Sequence, residues 1–283
     1  MNLVTTASTT ARAITLSLLA LACASGPGFP TQPARGDDTP SNRPVRVLII
    51  TGDTHPAHNW KATSPAIADV LVKGNKIEAT ITASPARDLT DENLAKYDVL
   101  FLNYLNYKKP SESPETTWTD ANKAALLKAV RDDGKGLVLL HHASGSFTKP
   151  NWPEFEQAVG GWRTQGFHGP AHEFTVKKTS EAQAHPIGAG APDEFAHLTD
   201  ELYQNSLLPT GAVVLATAYS DPSKPRGTGK NEAVIWAAPF GKGRVFEDLL
   251  GHDVAAIADP GAATWLRRGV LWAAKGEVPA EVK

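Results

Sequence analysis

The stretch Val45-Arg46-Val47-Leu48-Ile49-Ile50 decides how this chain is read. It is a short, β-branched and nearly continuous apolar run, the pattern of a strand buried on both faces of a parallel sheet. Two later runs repeat it: Asp98-Val99-Leu100-Phe101-Leu102-Asn103 and Gly136-Leu137-Val138-Leu139-Leu140. Residues 77–82 alternate as a strand does. Between the strands the spacing becomes helical. Residues 65–73 put Ile67, Val70 and Leu71 on one face. Residues 119–132 put Ala124, Leu127 and Val130 in an apolar stripe, with Thr119 or Asp120 as the cap and Gly134 as the stop. A βαβαβ opening predicts an α/β layered sheet.

The second half is less regular. Residues 153–159 read as a short helix ended by Gly160-Gly161, and strands are expected over 173–177, 212–217, 233–237 and 244–249. A helix over 264–274, carrying Leu266, Val270 and Leu271, closes the domain. No internal repeat is present.

In an open parallel sheet, ligands bind beyond the carboxyl ends of the strands. The polar residues of this chain gather at those ends. Thr51-Gly52-Asp53-Thr54-His55-Pro56-Ala57-His58-Asn59-Trp60 follows the first strand, and Asn103-Tyr104 follows the strand over 98–102. His141-His142 follows Leu140, and Gly251-His252-Asp253 follows the last strong strand. One shared polar cleft is the expectation. Being adjacent, His141 and His142 would point opposite ways in an extended chain, so one of them should be a core residue. Gly251-His252-Asp253 also suits a helix cap. Pro170 argues against His168 and His172 as a helical ligand pair, and His185 and His197 read as loop or surface residues. Asp200-Glu201-Leu202-Tyr203 offers two carboxylates beside a phenol. Trp60, Trp152, Trp162 and Trp236 suit either the core or the face of a sugar.

Composition sets the limits. The chain has 283 residues, 41% of them hydrophobic, with a net charge of −2 and mixed acidic and basic residues. That is enough apolar material for a folded domain of roughly 200–250 residues plus extensions. No basic field is available for a phosphate backbone, which excludes nucleic acid as the expected partner. The single cysteine, Cys23, excludes disulfide frameworks and cysteine-ligated metal clusters. Ser144-Gly145-Ser146 lacks the nucleophile elbow of serine hydrolases, and no dinucleotide or phosphate-loop pattern occurs, so no nucleotide cofactor is expected.

Residues 1–25 read as a secretory signal: Arg12 precedes the apolar run 13–22, which is too short to span a bilayer. Ala20-Leu21-Ala22-Cys23 also resembles a lipoprotein box, which would make Cys23 a lipid anchor. The Pro-rich residues 26–44 suit an extended tether, the domain runs over 45–276, and 277–283 form a C-terminal tail. The protein is expected outside the cytoplasm, periplasmic or extracellular, without a membrane span.

The ordered series of segments resembles the ThuA-like (trehalose utilisation) family over about Val45 to Ala274. The matching residues are Val47-Leu48-Ile49-Ile50-Thr51-Gly52 with His58-Asn59-Trp60, then Tyr97-Asp98-Val99-Leu100 and Gly136-Leu137-Val138-Leu139-Leu140-His141. Trp152-Pro153-Glu154-Phe155, Gly160-Gly161 with His168, His185-Pro186-Ile187 and Asp200-Glu201-Leu202-Tyr203 follow. Gly241-Lys242-Gly243-Arg244-Val245-Phe246, Gly251-His252-Asp253 and Arg267-Arg268-Gly269-Val270-Leu271-Trp272-Ala273 complete it. The resemblance implies a flavodoxin-like, class I glutamine amidotransferase-like layered fold with a mostly parallel central sheet. Amidotransferase chemistry is nevertheless excluded, because the turn after Leu140, where those enzymes carry a nucleophilic cysteine, reads His141-His142-Ala143-Ser144, and the one cysteine, Cys23, lies in the leader.

The same resemblance implies carbohydrate catabolism, with a sugar or keto-sugar as substrate. An enzyme acting on a 3-keto glycoside or disaccharide would use His141 and His252 as base or ligands and Glu201 as a further acid/base or ligand. His58, Trp60, Asn103, Tyr203 and Asp253 would bind the sugar. A divalent metal, zinc or manganese, held by His141, His168 and His252 would polarise the keto oxygen. The alternative is a non-catalytic sugar-binding or accessory module.

Overall fold

The computed structural model describes residues 43–279 apart from Pro110 and Thr164. The expected signal, Cys23 and nearly all of the Pro-rich segment lie outside the described residues. In the first half, β1 (Val45–Ile50), α1 (Trp60–Val72), β2 (Ile77–Thr82), α2 (Pro85–Asp88) and α3 (Asp91–Leu94) precede β3 (Val99–Leu102). Then come α4 (Asp120–Arg131), β4 (Gly136–Leu140), α5 (Pro153–Val159), β5 (Phe167–His168), β6 (His172–Lys178) and α6 (Ser180–Gln183). The chain ends with β7 (Glu194–Asp200), β8 (Tyr203–Gln204), β9 (Val213–Tyr219), β10 (Asn231–Phe240), β11 (Gly243–Asp248), α7 (Val254–Ala258) and α8 (Pro260–Ala273).

Nine strands form one sheet in the order β2-β1-β3-β4-β11-β10-β9-β6-β7, and β5 pairs separately with β8. The first five run parallel. Their order is the 2-1-3-4-5 arrangement of flavodoxin-like sheets, with β11 in the fifth place. Alternation along β1 explains the layering. Val47 and Ile49 face a core shared with Ile67 and Leu71 of α1 and with Trp265 and Leu266 of α8. Leu48 and Ile50 face the opposite core, with Leu126 and Val130 of α4 and Phe155 of α5. Both sheet faces are covered, as parallel strands require. Thr119 caps α4 in a reciprocal box with Asn122. The buried apolar stripe of that helix is Ala125, Leu126, Ala129 and Val130; of the expected stripe Val130 is buried, whereas Ala124 is exposed and Leu127 half-buried.

The antiparallel half is what positions the site. Each of β10, β9, β6 and β7 reverses its neighbour, so β7 again runs in the direction of β11 and ends at the same sheet edge. Helix α8 touches β4, β11 and β7 together, although β7 lies four strands beyond β11 in the sheet. The sheet therefore curls around α8. Close approach is needed on both sides of that helix. A Cβ on Gly269 would lie 2.2 Å from the Phe246 ring on β11, and one on Gly261 would lie 2.3 Å from the Phe195 ring on β7. Among the described residues, no helix is long and apolar enough to cross a membrane.

His185 was expected in a loop or on the surface, yet it is buried at 6% exposure. Its ring packs on Trp272, and its Nδ1 accepts from the backbone N–H of Ile187. Burial first, and the Arg244 charge second, draw its pKa down to about 4 from 6.5. Between these two pH values the unfolded chain takes up a proton that the native state refuses, so stability falls as pH drops through the window. Urea unfolding from pH 7 to 4 is expected to show this slope, with a shallower one in His185→Gln. An identical slope in the variant would contradict the assignment.

Candidate functional site

The strand ends at Leu140, and the next residue breaks the extended pattern. His141 opens a 3-10 turn, His141–Gly145, with a positive φ of 48°. A non-glycine residue holds that conformation only where its surroundings enforce it. The enforcing contact is a hydrogen bond of 2.9 Å between His141 Nδ1 and the Leu249 carbonyl, at the end of β11. A carbonyl only accepts, so the proton sits on Nδ1, and Nε2 turns its lone pair into the site.

Three further groups meet that nitrogen. Glu201, just beyond β7, places Oε2 3.4 Å from His141 Nε2 and 3.3 Å from His252 Nδ1. His58, from the loop after β1, lies with its ring centroid 5.2 Å from His141 and 4.8 Å from His252. One ligand atom from each of His58, His141, Glu201 and His252 falls within 4.8 Å of all the others. His58 Nδ1, His141 Nε2, Glu201 Oε2 and His252 Nδ1 are buried and lack hydrogen-bond partners among the described residues. Polar atoms are seldom buried in this state without a missing ligand or water.

These residues fit a divalent cation. Imidazole nitrogens with one carboxylate are a zinc-type donor set, and bonds of about 2.0–2.2 Å in a tetrahedron hold ligand atoms roughly 3.3–3.6 Å apart. The Glu201 contacts already have that spacing. Burial depresses the His58 pKa to about 3, helped by the His141 and His252 charges, which keeps its imidazole neutral as a ligand must be. Burial alone would raise the Glu201 carboxyl, but the facing imidazoles of His141 and His252 outweigh it and hold the group below the usual carboxylate range. Glu201 in turn raises His252 against the opposing effect of burial.

Around the cluster, Tyr203 is buried, with His141 at 4.6 Å on one side and His168 stacked at 5.3 Å on the other. His168 pairs across the β5–β8 ladder with Tyr203. Its Nδ1 donates to the Gly169 carbonyl, so Nε2 is the acceptor nitrogen of a ring that remains 31% exposed on its side chain. Trp162 packs beside Tyr203 at 5.3 Å.

The cluster brings together His58, His141 and His252 from the strand-end loops with Glu201, the separately named acid/base or ligand candidate, and it does not include His168. His168 lies 3.8 Å from the other oxygen of Glu201, outside the four-residue group. His142 does not turn away into the core. The 3-10 turn stacks it on His58 at 4.3 Å, with both ring nitrogens buried and unpartnered. Asn103 is buried, and its amide donates to Thr63 and Ser64 of α1, a bracing role in place of the expected sugar contact. Asp253 caps α7 by accepting from Ala256 N–H, the helix-cap alternative. Trp60 opens α1 and meets Lys61, and among the described residues no ring contact joins it to the cluster. Trp152 and Trp236 are core residues. His197, expected at the surface, is fully buried and bonded to Asp200.

The profile of the ThuA family, described as trehalose utilisation, matches residues 46–273. The chain belongs to this family. A ThuA-like protein from Parabacteroides merdae is 26% identical, covering 85% of this chain and 93% of its own, with a TM-score of 0.70. A second, from Bacteroides uniformis, is 18% identical over 88% of this chain and 98% of its own, with a TM-score of 0.62, and shares the fold. None of the curated proteins compared with the chain matches it.

For this ThuA protein the ligand set is directly testable. Calorimetric titration of metal-free protein with zinc is expected to give one equivalent, weakened about tenfold or more by His58→Ala or His141→Ala and by no more than about threefold by His168→Ala. A larger loss from His168→Ala than from His58→Ala would restore the trio expected from sequence.

Proposed function

We propose that the protein is an exported, metal-assisted enzyme of carbohydrate catabolism acting on a keto-glycoside or keto-disaccharide. The observation that carries the reading is the set of four buried, unpartnered ligand atoms on His58, His141, Glu201 and His252. A sugar as substrate is in keeping with the family's trehalose-utilisation description and with the polar, aromatic surroundings of the cluster. Export rests on the leader and the absence of a nucleotide cofactor on the missing phosphate-binding motifs; Cys23 is the proposed lipid anchor.

When bound, zinc or manganese supplies Lewis acidity toward a carbonyl oxygen. The residues do the rest. His58, His141, Glu201 and His252 hold the cation, and Leu249 fixes His141 in the tautomer that leaves Nε2 free. His168 stands beside Glu201 with its ring partly exposed, Nδ1 tied to Gly169, and Nε2 able to take the proton from the carbon beside a keto group. The electron pair released at that carbon forms a double bond to its neighbour as the glycosidic C–O bond breaks, and the departing oxygen takes a proton from water to leave as an alcohol. Trp162 and Tyr203 flank His168, with ring centroids at 6.0 and 5.3 Å.

Proton NMR of the metal-loaded protein with 3-keto-trehalose is expected to show loss of the glycosidic anomeric signal, and Glu201→Gln is expected to abolish that loss. Saturable binding with no product at any pH or with any divalent ion would contradict catalysis and leave a sugar-binding module.

A further inference from the structure

The coordinating side chains come from distant parts of the chain, and something must set their spacing. Asp200 closes β7, is fully buried, and is outside the coordinating group. Its Oδ1 accepts from Glu201 N–H at 2.7 Å and from His252 N–H at 3.3 Å. Its Oδ2 accepts from Gly251 N–H at 2.7 Å and from His197 Nε2 at 2.9 Å. Oδ1 also lies 3.9 Å from His141 Nδ1. One carboxylate thus holds the backbone of two coordinating residues and stands beside the ring of a third.

We propose that Asp200, oriented by His197, is the positioning residue of the site, fixing Glu201 and His252 around the cation without touching it. The proposal rests on the cation site described above. Adjacent residues of an extended chain point to opposite sides, so the β7 end aims Asp200 at the backbone of the Gly251–His252 loop and Glu201 at the imidazoles. Four N–H donors satisfy its two oxygens. Gly251, at a φ of 118°, is what lets two successive N–H groups of that loop meet it. Outer carboxylates of this kind typically govern cation affinity by about tenfold to a hundredfold.

The test separates positioning from general stability. Asp259 is the control: it caps α8 by accepting from Gly261 and Ala262, lies 3.9 Å from His197 Nδ1, and has no hydrogen bond to a coordinating residue. Zinc affinity of the folded full chain is measured by competition with a chromophoric chelator for wild type, Asp200→Asn, His197→Gln and Asp259→Asn, alongside thermal unfolding without metal. Asp200→Asn is expected to weaken zinc binding about tenfold or more, and His197→Gln by a smaller factor, while Asp259→Asn lowers the unfolding temperature and leaves affinity unchanged. If Asp200→Asn does not fold, the His197→Gln result alone decides. Folded Asp200 or His197 variants with wild-type affinity would overturn the proposal, as would an equal loss in Asp259→Asn. A wild-type chain that binds no zinc or manganese would overturn the cation site itself, and this role with it.

Discussion

Chain polarity is the constraint on which the rest of this structure depends. Five parallel strands must all end at one edge, so the loops after β1, β3, β4 and β11 open side by side. Four reversals then return β7 to the same direction, and the curl around α8 brings its end to the β11 loop. His58, His141, Glu201 and His252 meet because of this geometry, across more than 190 positions of sequence. The apolar cores on both faces hold the edge rigid enough for a side-chain constellation to persist.

The site concentrates a physical conflict. Burying imidazoles beside one another disfavours charge on each, while burying a carboxylate without partners is costly. His58 is forced neutral, Glu201 is kept ionised by its neighbours, and the facing ligand atoms have no hydrogen-bond partner among the described residues. A divalent cation resolves all of these demands together, which is why the cluster reads as a binding site and not as a packing accident. Asp200 lies behind it as a carboxylate with its own donors: burial would raise its carboxyl, but the neighbouring His141 ring, the His197 hydrogen bond and the Gly251 N–H together hold it below the usual value.

Much of this was legible in the sequence where the signal is local. The runs at 45–50, 77–82, 136–140 and 153–159 have the observed bounds, because apolar continuity, alternation and flanking glycines are properties of neighbouring residues. The strand-end rule pointed to His141 and His252 for the same reason. The failures are non-local. No spacing announces that the sheet curls, so β7, the role of Asp200 and the burial of His197 were not visible. The positive φ of His141 depends on a carbonyl more than 100 residues away, and with it the turning of His142 toward His58. Asn103 and Asp253 occupy strand ends as expected, yet one braces α1 and the other caps α7, because a polar residue at the cleft edge can serve the backbone as readily as a ligand. Sequence alone places His58 with the substrate and His168 with the metal, whereas the four-residue group that proximity forms includes His58 and leaves His168 outside.

The central claim is that these four side chains share one cation. The most direct measurement is anomalous X-ray diffraction from crystals of the protein purified without chelator and supplied with zinc, recorded on both sides of the zinc absorption edge. The account predicts a single strong anomalous peak within bonding distance of His58, His141, Glu201 and His252, with His168 outside its coordination sphere. A map with no peak among these residues, while zinc is bound elsewhere on the molecule, would contradict it.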